Sequence, residues 1–435
     1  MERNKLLSRI KVEAETFFEE IGKASEPLYL LLLTVYAAIF FMLKFAWDQK
    51  VEKAVEIVRY GMLGVVIWGA AAYLFFIIAA WKNLWKKNIP LLLTGVGLIA
   101  AAGFFSAKMS TNIYGVVMDI FFCLIAYKKD YRKMLLCLFG TAVLMLILAG
   151  CGMAAGITLD IQKPFNESPG HSLGINYPNT WGYLAFLAML LAWYLFLRGK
   201  WIITFFLFWG VSVFMYCYIS CRTITGMSVV FPFFAVVVDW IEKRKKSEES
   251  NTEVQQNRNN SAAVWIVTLI PFLVFAVMLI LSLNVEWVHS HFYHTKLHNL
   301  AMRFVQGGLY FRTYGFPLVG NPYRANQITY VNVNGEFEEV GILDSSFAAY
   351  IIMRGMVWMF CTLLWLCFAN RKAMKERNYA IPLVGTFILL FATMERPGLE
   401  MWYNFVMLYP LAKAAGEQRL FPAKDVPPDE TDAES

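Results

Sequence analysis

Charge is scarce in this sequence: Asp, Glu, Lys and Arg together make 16% of the 435 residues, against about a quarter in an ordinary soluble domain. Hydrophobic residues make 58%. A soluble protein of this composition would lack the polar surface needed to cover itself, so lipid must be part of its solvent. Long polar stretches are also few, which removes the two or three soluble domains that length alone would suggest. Histidine occurs five times and cysteine seven times. No CxxC is present, and the cysteines fall inside apolar runs, where they read mostly as small buried hydrophobes rather than zinc ligands or a disulfide framework. There is no GxxxxGK[ST], no GxGxxG and no HExxH. An ATP-driven pump and a dinucleotide enzyme are thereby set aside. No basic block interleaved with aromatics marks a nucleic-acid partner. Any reaction must then draw its energy from an activated lipid-linked substrate or from a gradient.

What is abundant is apolar run after apolar run. A bilayer core of about 30 Å takes about 20 apolar residues per helix. That ruler predicts helices near 27–46, 61–81, 89–107, 112–127, 134–157 and 176–197, then 201–220, 224–241, 262–284, 345–369, 379–395 and 400–415. The expected fold is all-α, a polytopic transmembrane bundle of about twelve helices spanning 27–415. Residues 1–26 read as an amphipathic cytoplasmic tail and 416–435 as a disordered one. The basic residues test the map independently. About two thirds of the 39 Lys and Arg fall on alternate connections, among them Lys82/Lys86/Lys87, Lys128/Lys129/Arg132/Lys133 and Arg371/Lys372/Lys375/Arg377. These segments read as cytoplasmic, which implies an even helix count and places both termini inside.

Two connections differ in kind. The inner segment 242–261, EKRKKSEESNTEVQQNRNNS, lacks aromatics and reads as a disordered tether. The outer loop 285–344 carries Trp, Tyr, Phe, Gly, Pro, four of the five histidines and several arginines. That composition reads as a partly helical cap over a site, lying between the ninth and tenth helices.

Candidate chemistry gathers at the outer ends of helices. Arg222 sits in the SCRT segment 220–223, and Arg303 and Arg312 lie on AMRFVQGGLYFRTYG, whose apolar spacing permits a short helix at the membrane surface. Guanidinium forks match phosphate oxygens; the competing readings are a carboxylate partner and snorkelling. His289, His291, His294 and His298 lie in VHSHFYHTKLHNL. His294 and His298, four apart, share a helical face. A metal site, a catalytic base or acceptor contact, and ordinary loop polarity all stay open for them; His171 in GHSLGINYPN is unassigned. Asp344 opens GILDSSFAAYIIMRG, either as an N-cap or as a carboxylate that accepts a proton from a hydroxyl nucleophile. Arg354, Asp119 and the Glu395–Arg396 pair read as structural ion pairs facing the bundle interior.

Four of these segments, in this order, resemble the O-antigen ligase and O-antigen polymerase family of bacterial envelope polysaccharide enzymes. GHSLGINYPNTWGYL (170–184) is similar to the SLGF-x-NPN-x-xG helix start of Gram-positive capsule and exopolysaccharide polymerases. SCRT resembles an S-x-SR-[TG] outer helix end, and MRFVQGGLYFRTYGFPLVGN (302–321) an arginine-led loop ending in a Gly-rich turn. LDSSFAAYIIMRG (343–355) resembles the D-[NS]-x-[YF] entry into the next helix. The resemblance implies a metal-independent and cofactor-free glycosyltransferase of the plasma membrane. Such an enzyme moves an undecaprenyl-diphosphate-linked oligosaccharide onto an acceptor sugar hydroxyl at the outer face. It further implies that Arg222 and Arg303 hold the diphosphate, with Arg312 and Arg324 as secondary contacts, and that the base is Asp344, His294 or His298. Asp344 stands where ligases of the family carry His, which favours the polymerase branch. A flippase and a chain-length regulator are the protein partners implied. A transporter of the same lipid-linked glycans is the competing function.

Overall fold

The structure, a computed structural model, describes residues 26–42, 44–48, 51–58, 60–61, 64, 119, 122–127, 129–161, 163–165, 168–175, 177–249, 262–292, 295, 298–318, 320, 328–331, 337–340 and 345–413. Most of the second and third expected helices, 61–81 and 89–107, and much of the fourth, 112–127, lie outside them, as do the tails 1–25 and 414–435.

Among the described residues the fold is a helical bundle. Besides a short helix over 51–58, its helices are α1 (Glu26–Met42), α2 (Tyr131–Ala154), α3 (Pro178–Leu197), α4 (Trp201–Ile219), α5 (Arg222–Glu249) and α6 (Ala262–Leu283). They continue as α7 (Val285–Phe292), α8 (His298–Tyr314), α9 (Ser346–Arg354), α10 (Met356–Lys375) and α11 (Ala380–Met394). Five of them, α2 to α6, are long and apolar enough to cross a membrane. Strands are confined to two short antiparallel pairs, β1 (Lys163–Phe165) with β2 (Ser168–Gly170) and β3 (Ile328–Val331) with β4 (Phe337–Val340). Large apolar side chains face outward along α4 and α6, including Trp201, Phe206, Val213, Ile266, Val277 and Ile280. Such a stripe is stable in acyl chains and costly in water.

Polar anchors separate two ends of the bundle. At one end Arg198 reaches Asp239 at 2.5 Å and Glu242 at 2.6 Å, and Glu242 accepts the backbone N–H of Tyr379 at 2.9 Å. The Asn378 amide donates to the Tyr194 hydroxyl there, and Lys413 N–H donates to the Lys129 carbonyl. This end gathers the basic connections. The opposite end holds the α4–α5 turn, the start of α3 and the end of α11.

Three expectations change. The 345–369 helix is broken at Gly355, where φ is +95°. Leu318 and Gly320 pack into the break: a Cβ on Gly355 would stand 2.3 Å from the Leu318 carbonyl oxygen. The freed N–H groups of Met356 and Val357 donate to the carbonyls of Pro317 and Leu318 at 2.8 and 3.1 Å. Glycine alone tolerates both the left-handed backbone and that approach. The 400–415 helix does not form. Its residues run as turns and a short 3-10 stretch, Phe405–Leu408, with Met401 to Tyr409 all buried. Irregular backbone is tolerated in so apolar a segment because protein surrounds it. The 242–261 tether is helical through Glu249, because α5 continues in Glu, Lys and Arg and is pinned at Glu242; 250–261 lie outside the described residues. The cysteines also divide more evenly than expected: Cys123, Cys221 and Cys367 are buried, Cys151, Cys217 and Cys361 exposed.

Candidate functional site

The site is assembled at the end opposite Arg198, where α4 hands over to α5. The last turn of α4, Met215–Ile219, is a π-helix, a one-residue widening that often marks functional positions. Ser220 then takes a left-handed backbone, φ +60°, and Arg222 begins α5. A non-glycine residue in that region costs about 1 kcal/mol or more, accepted here because only Ser220 and Cys221 separate two long antiparallel helices. The β1–β2 hairpin presses on the turn: His171 N–H donates to the Tyr218 carbonyl at 3.1 Å, and its ring stacks on Tyr218 with centroids 4.3 Å apart. The turn therefore has a fixed wall, and Arg222 has a fixed root.

Arg303 comes from α8, which is laid against the end of α6 by two glycines. A Cβ on Gly308 would stand 2.0 Å from the Ser282 carbonyl oxygen, and one on Gly307 3.1 Å from the Ser282 hydroxyl. Glu395 comes from the residue after α11. Ser346 fixes it by donating to the Glu395 backbone carbonyl while accepting the Gly398 N–H at 2.9 Å. Arg222, Arg303 and Glu395 line one cavity of about 210 Å³, together with Asn179, Ser220, Thr223, Met302 and Gln306. Arg303 Nη2 stands 3.9 Å from Glu395 Oε1, and Tyr183 is buried beside the same carboxylate. Glu395 is 4% exposed and Arg222 is exposed. The cavity thus pairs two guanidinium groups with one buried carboxylate and several neutral hydrogen-bonding groups. That set suits a doubly anionic, oxygen-rich ligand.

Of the residues expected at a site, Arg222 and Arg303 are brought together. Arg312 is turned elsewhere: it forms two parallel bonds to Glu286, at 2.6 and 2.8 Å, on an exposed face. Asp344, Arg324 and His294 lie outside the described residues. His298 begins α8, but its side chain also lies outside them. His289 is buried and His291 Nδ1 lies 2.9 Å from the Trp287 carbonyl. Among the described residues no three His, Cys, Asp or Glu side chains gather as metal ligands.

Glu395, Tyr183, Gln306 and Asn179 were not expected here. Glu395 was read in an ion pair with Arg396, whose side chain lies outside the described residues; the structure sets its carboxylate near Arg303, with Ser346 holding its backbone. Gln306 lies three residues after Arg303 on one helix face, a spacing the sequence did display. Nothing in the sequence marks Tyr183.

A second polar cluster lies deeper. Arg354, at the α9–α10 break, sits 4.5 Å over the Tyr350 ring and feels the charges of Asp119 and Glu400. It was expected to be ion-paired, yet among the described residues neither carboxylate is in ion-pair contact with it. Arg354 Nη1, Asp119 Oδ1 and Glu400 Oε2 are each buried without a protein hydrogen-bond partner. Beside the cavity, Asp160 Oδ2 lies 2.6 Å from His171 Nδ1, and Asp160 Oδ1 accepts the N–H groups of Ser172 and Leu173. Burial pushes the Asp160 carboxyl up, but those hydrogen bonds prevail and hold it below the usual carboxylate range.

No family model, curated protein or solved structure matches this chain.

Proposed function

We propose that this protein is a bacterial membrane glycan polymerase or ligase, transferring an undecaprenyl-diphosphate-linked oligosaccharide to an acceptor sugar hydroxyl at the outer face of the plasma membrane. The observation that carries the reading is the shared cavity of Arg222 and Arg303. They arise from helices some eighty residues apart in sequence and meet where an anionic headgroup would arrive from the bilayer. In the reaction the acceptor hydroxyl oxygen attacks the anomeric carbon and the bond from that carbon to the diphosphate breaks. The two guanidinium groups would stabilise the departing diphosphate charge. A base takes the acceptor proton; Asp344, His294 and His298 are the candidates. The reading requires about twelve crossings, with both termini cytoplasmic and the last crossing, 396–413, made by the irregular buried segment rather than a helix. The cap 285–344, of which α7, α8 and the β3–β4 pair are described, would cover the donor.

One observation favours a second reading, a transporter or flippase of the same lipid-linked glycans. The Arg354, Asp119 and Glu400 cluster at a broken helix is the kind of interior charge that transporters place on a substrate or ion path. The two readings separate in one experiment. Purified protein is given a defined lipid-linked repeat in vesicles without ATP or metal. Growth of a glycan ladder that is lost in Arg222→Ala and Arg303→Ala supports the polymerase; movement of intact donor across the bilayer without chain growth sinks it.

A further inference from the structure

One wall of the cavity is set by the rotation of α8. Ala301 and Val305, four residues apart, bury against Val285 and Val288 of α7, and Gly308 closes on the Ser282 carbonyl. With that face committed, Met302, Arg303 and Gln306 share a neighbouring face by their spacing of three and four. All three line the cavity. Gln306 is therefore held about one helical turn from Arg303, beside whatever anion that guanidinium holds.

Gln306 brings an unmet requirement to that wall. Its Oε1 is buried and has no hydrogen-bond partner among the described residues, and a buried carbonyl oxygen without a donor is costly. A diphosphate diester cannot relieve it: ionised at both phosphates, it offers acceptor oxygens alone. A polyprenyl chain offers neither donor nor acceptor. The donor must then come with the group at the other end of the diphosphate. A sugar joined there carries a hydroxyl or an acylamino N–H on the carbon beside the anomeric one, next to the phosphate itself.

We propose that Gln306 determines specificity for the sugar of the donor: its Oε1 accepts a hydrogen bond from a hydroxyl or acylamino N–H of the sugar attached to the diphosphate. The cavity on this account recognises a glycosyl diphosphate, with Arg222 and Arg303 on the phosphates and Gln306 on the sugar. The proposal rests on the diphosphate-binding reading above. An amide turned over, with its N–H groups in the same place, would seek a phosphate oxygen instead. The two senses differ in which ligands they favour, so binding separates them.

The test compares two short-chain polyprenyl diphosphate esters on the full-length protein in detergent, one carrying glucose and one carrying methyl in its place. Both bring the same charge; only the first brings hydroxyl donors. Wild type should bind the glucosyl ester about tenfold more tightly, the worth of one well-placed hydrogen bond. Gln306→Met, which keeps the length and removes the acceptor, should lose that preference and leave the affinity for the methyl ester unchanged. Gln306→Ala should behave alike, which guards against a thioether that blocks the cavity. Because the deleted oxygen has no partner among the described residues, neither variant should unfold at a lower temperature than wild type. No preference in wild type, or a preference that survives in both variants, overturns the proposal. So does an equal loss for both esters, which would assign the amide to the phosphates. An unfolding temperature lowered in both variants overturns it as well, since the amide would then be engaged within the protein. These outcomes leave the diphosphate reading standing. Absence of binding of either ester to wild type, or binding untouched by Arg222→Ala, removes that reading and this proposal with it.

Discussion

Arg303 Nη2 faces Glu395 Oε1 across 3.9 Å, with Arg222 on the wall of the same cavity. Two guanidinium groups held by different helices can grip two phosphates at once, which a single arginine cannot. Removing either should therefore reduce donor affinity or turnover by about a hundredfold or more. Arg303→Lys should recover only part of the loss, since an ammonium lacks the planar fork. Chain-extension assays on the purified variants measure both, and unchanged activity in Arg222→Ala would sink the site.

Arg312 provides the contrast. Its partner Glu286 is exposed, as is Arg312 itself, and exposed pairs contribute about 1 kcal/mol or less. Arg312→Ala should leave donor binding unchanged and shift thermal unfolding only slightly. A loss of binding equal to that of Arg303→Ala would place Arg312 at the ligand instead.

Gly308 should tolerate no side chain. A Cβ there would stand 2.0 Å from the Ser282 carbonyl oxygen, whereas one on Gly210 meets nothing within 4 Å. Gly308→Ala should cost about 1–3 kcal/mol and shift Arg303 off the cavity; Gly210→Ala should be near neutral or slightly stabilising. Unfolding in detergent, with donor binding as a second readout, checks both.

At the other end of the bundle, Arg198 bridges Asp239 and Glu242 while largely buried. Arg198→Ala leaves two carboxylates without their cation and should destabilise by about 3–5 kcal/mol. The thermal midpoint should fall well before any effect on the distant cavity is seen. A midpoint equal to that of wild type would show that water already screens the pair.

Asp160 gives a pH signature. Its folded pKa lies below the unfolded value, so the stabilisation is present above the unfolded carboxylate pKa and is lost as pH falls through the folded one. The acid limb of the stability profile, below about pH 4, should therefore flatten in Asp160→Asn, which should also be less stable at neutral pH. An acid limb identical to that of wild type would mean that other carboxylates set it.

The periodicity of apolar runs is local information, and it carried most of the helices. Predicted and observed boundaries agree within about three residues for Trp201–Ile219, Ala262–Leu283 and Ala380–Met394, because a span must satisfy its own backbone wherever it lies. Arg222 and Arg303 were legible for a similar reason: on the expected map they break a charge rule that each residue obeys or violates alone. What the sequence could not decide is whatever depends on a neighbour. Gly355 looked like one more residue of a long helix until Leu318 and Gly320 were packed against it. The segment 400–413 is as apolar as a helix, yet its carbonyls and N–H groups are shielded by the surrounding bundle, so it need not be one. Glu395 read as the partner of its neighbour Arg396. Only the fold, with Ser346 holding the Glu395 backbone, brought Arg303 to its carboxylate from a distant helix, because a buried carboxylate meets whichever donors and cations the tertiary packing brings to it.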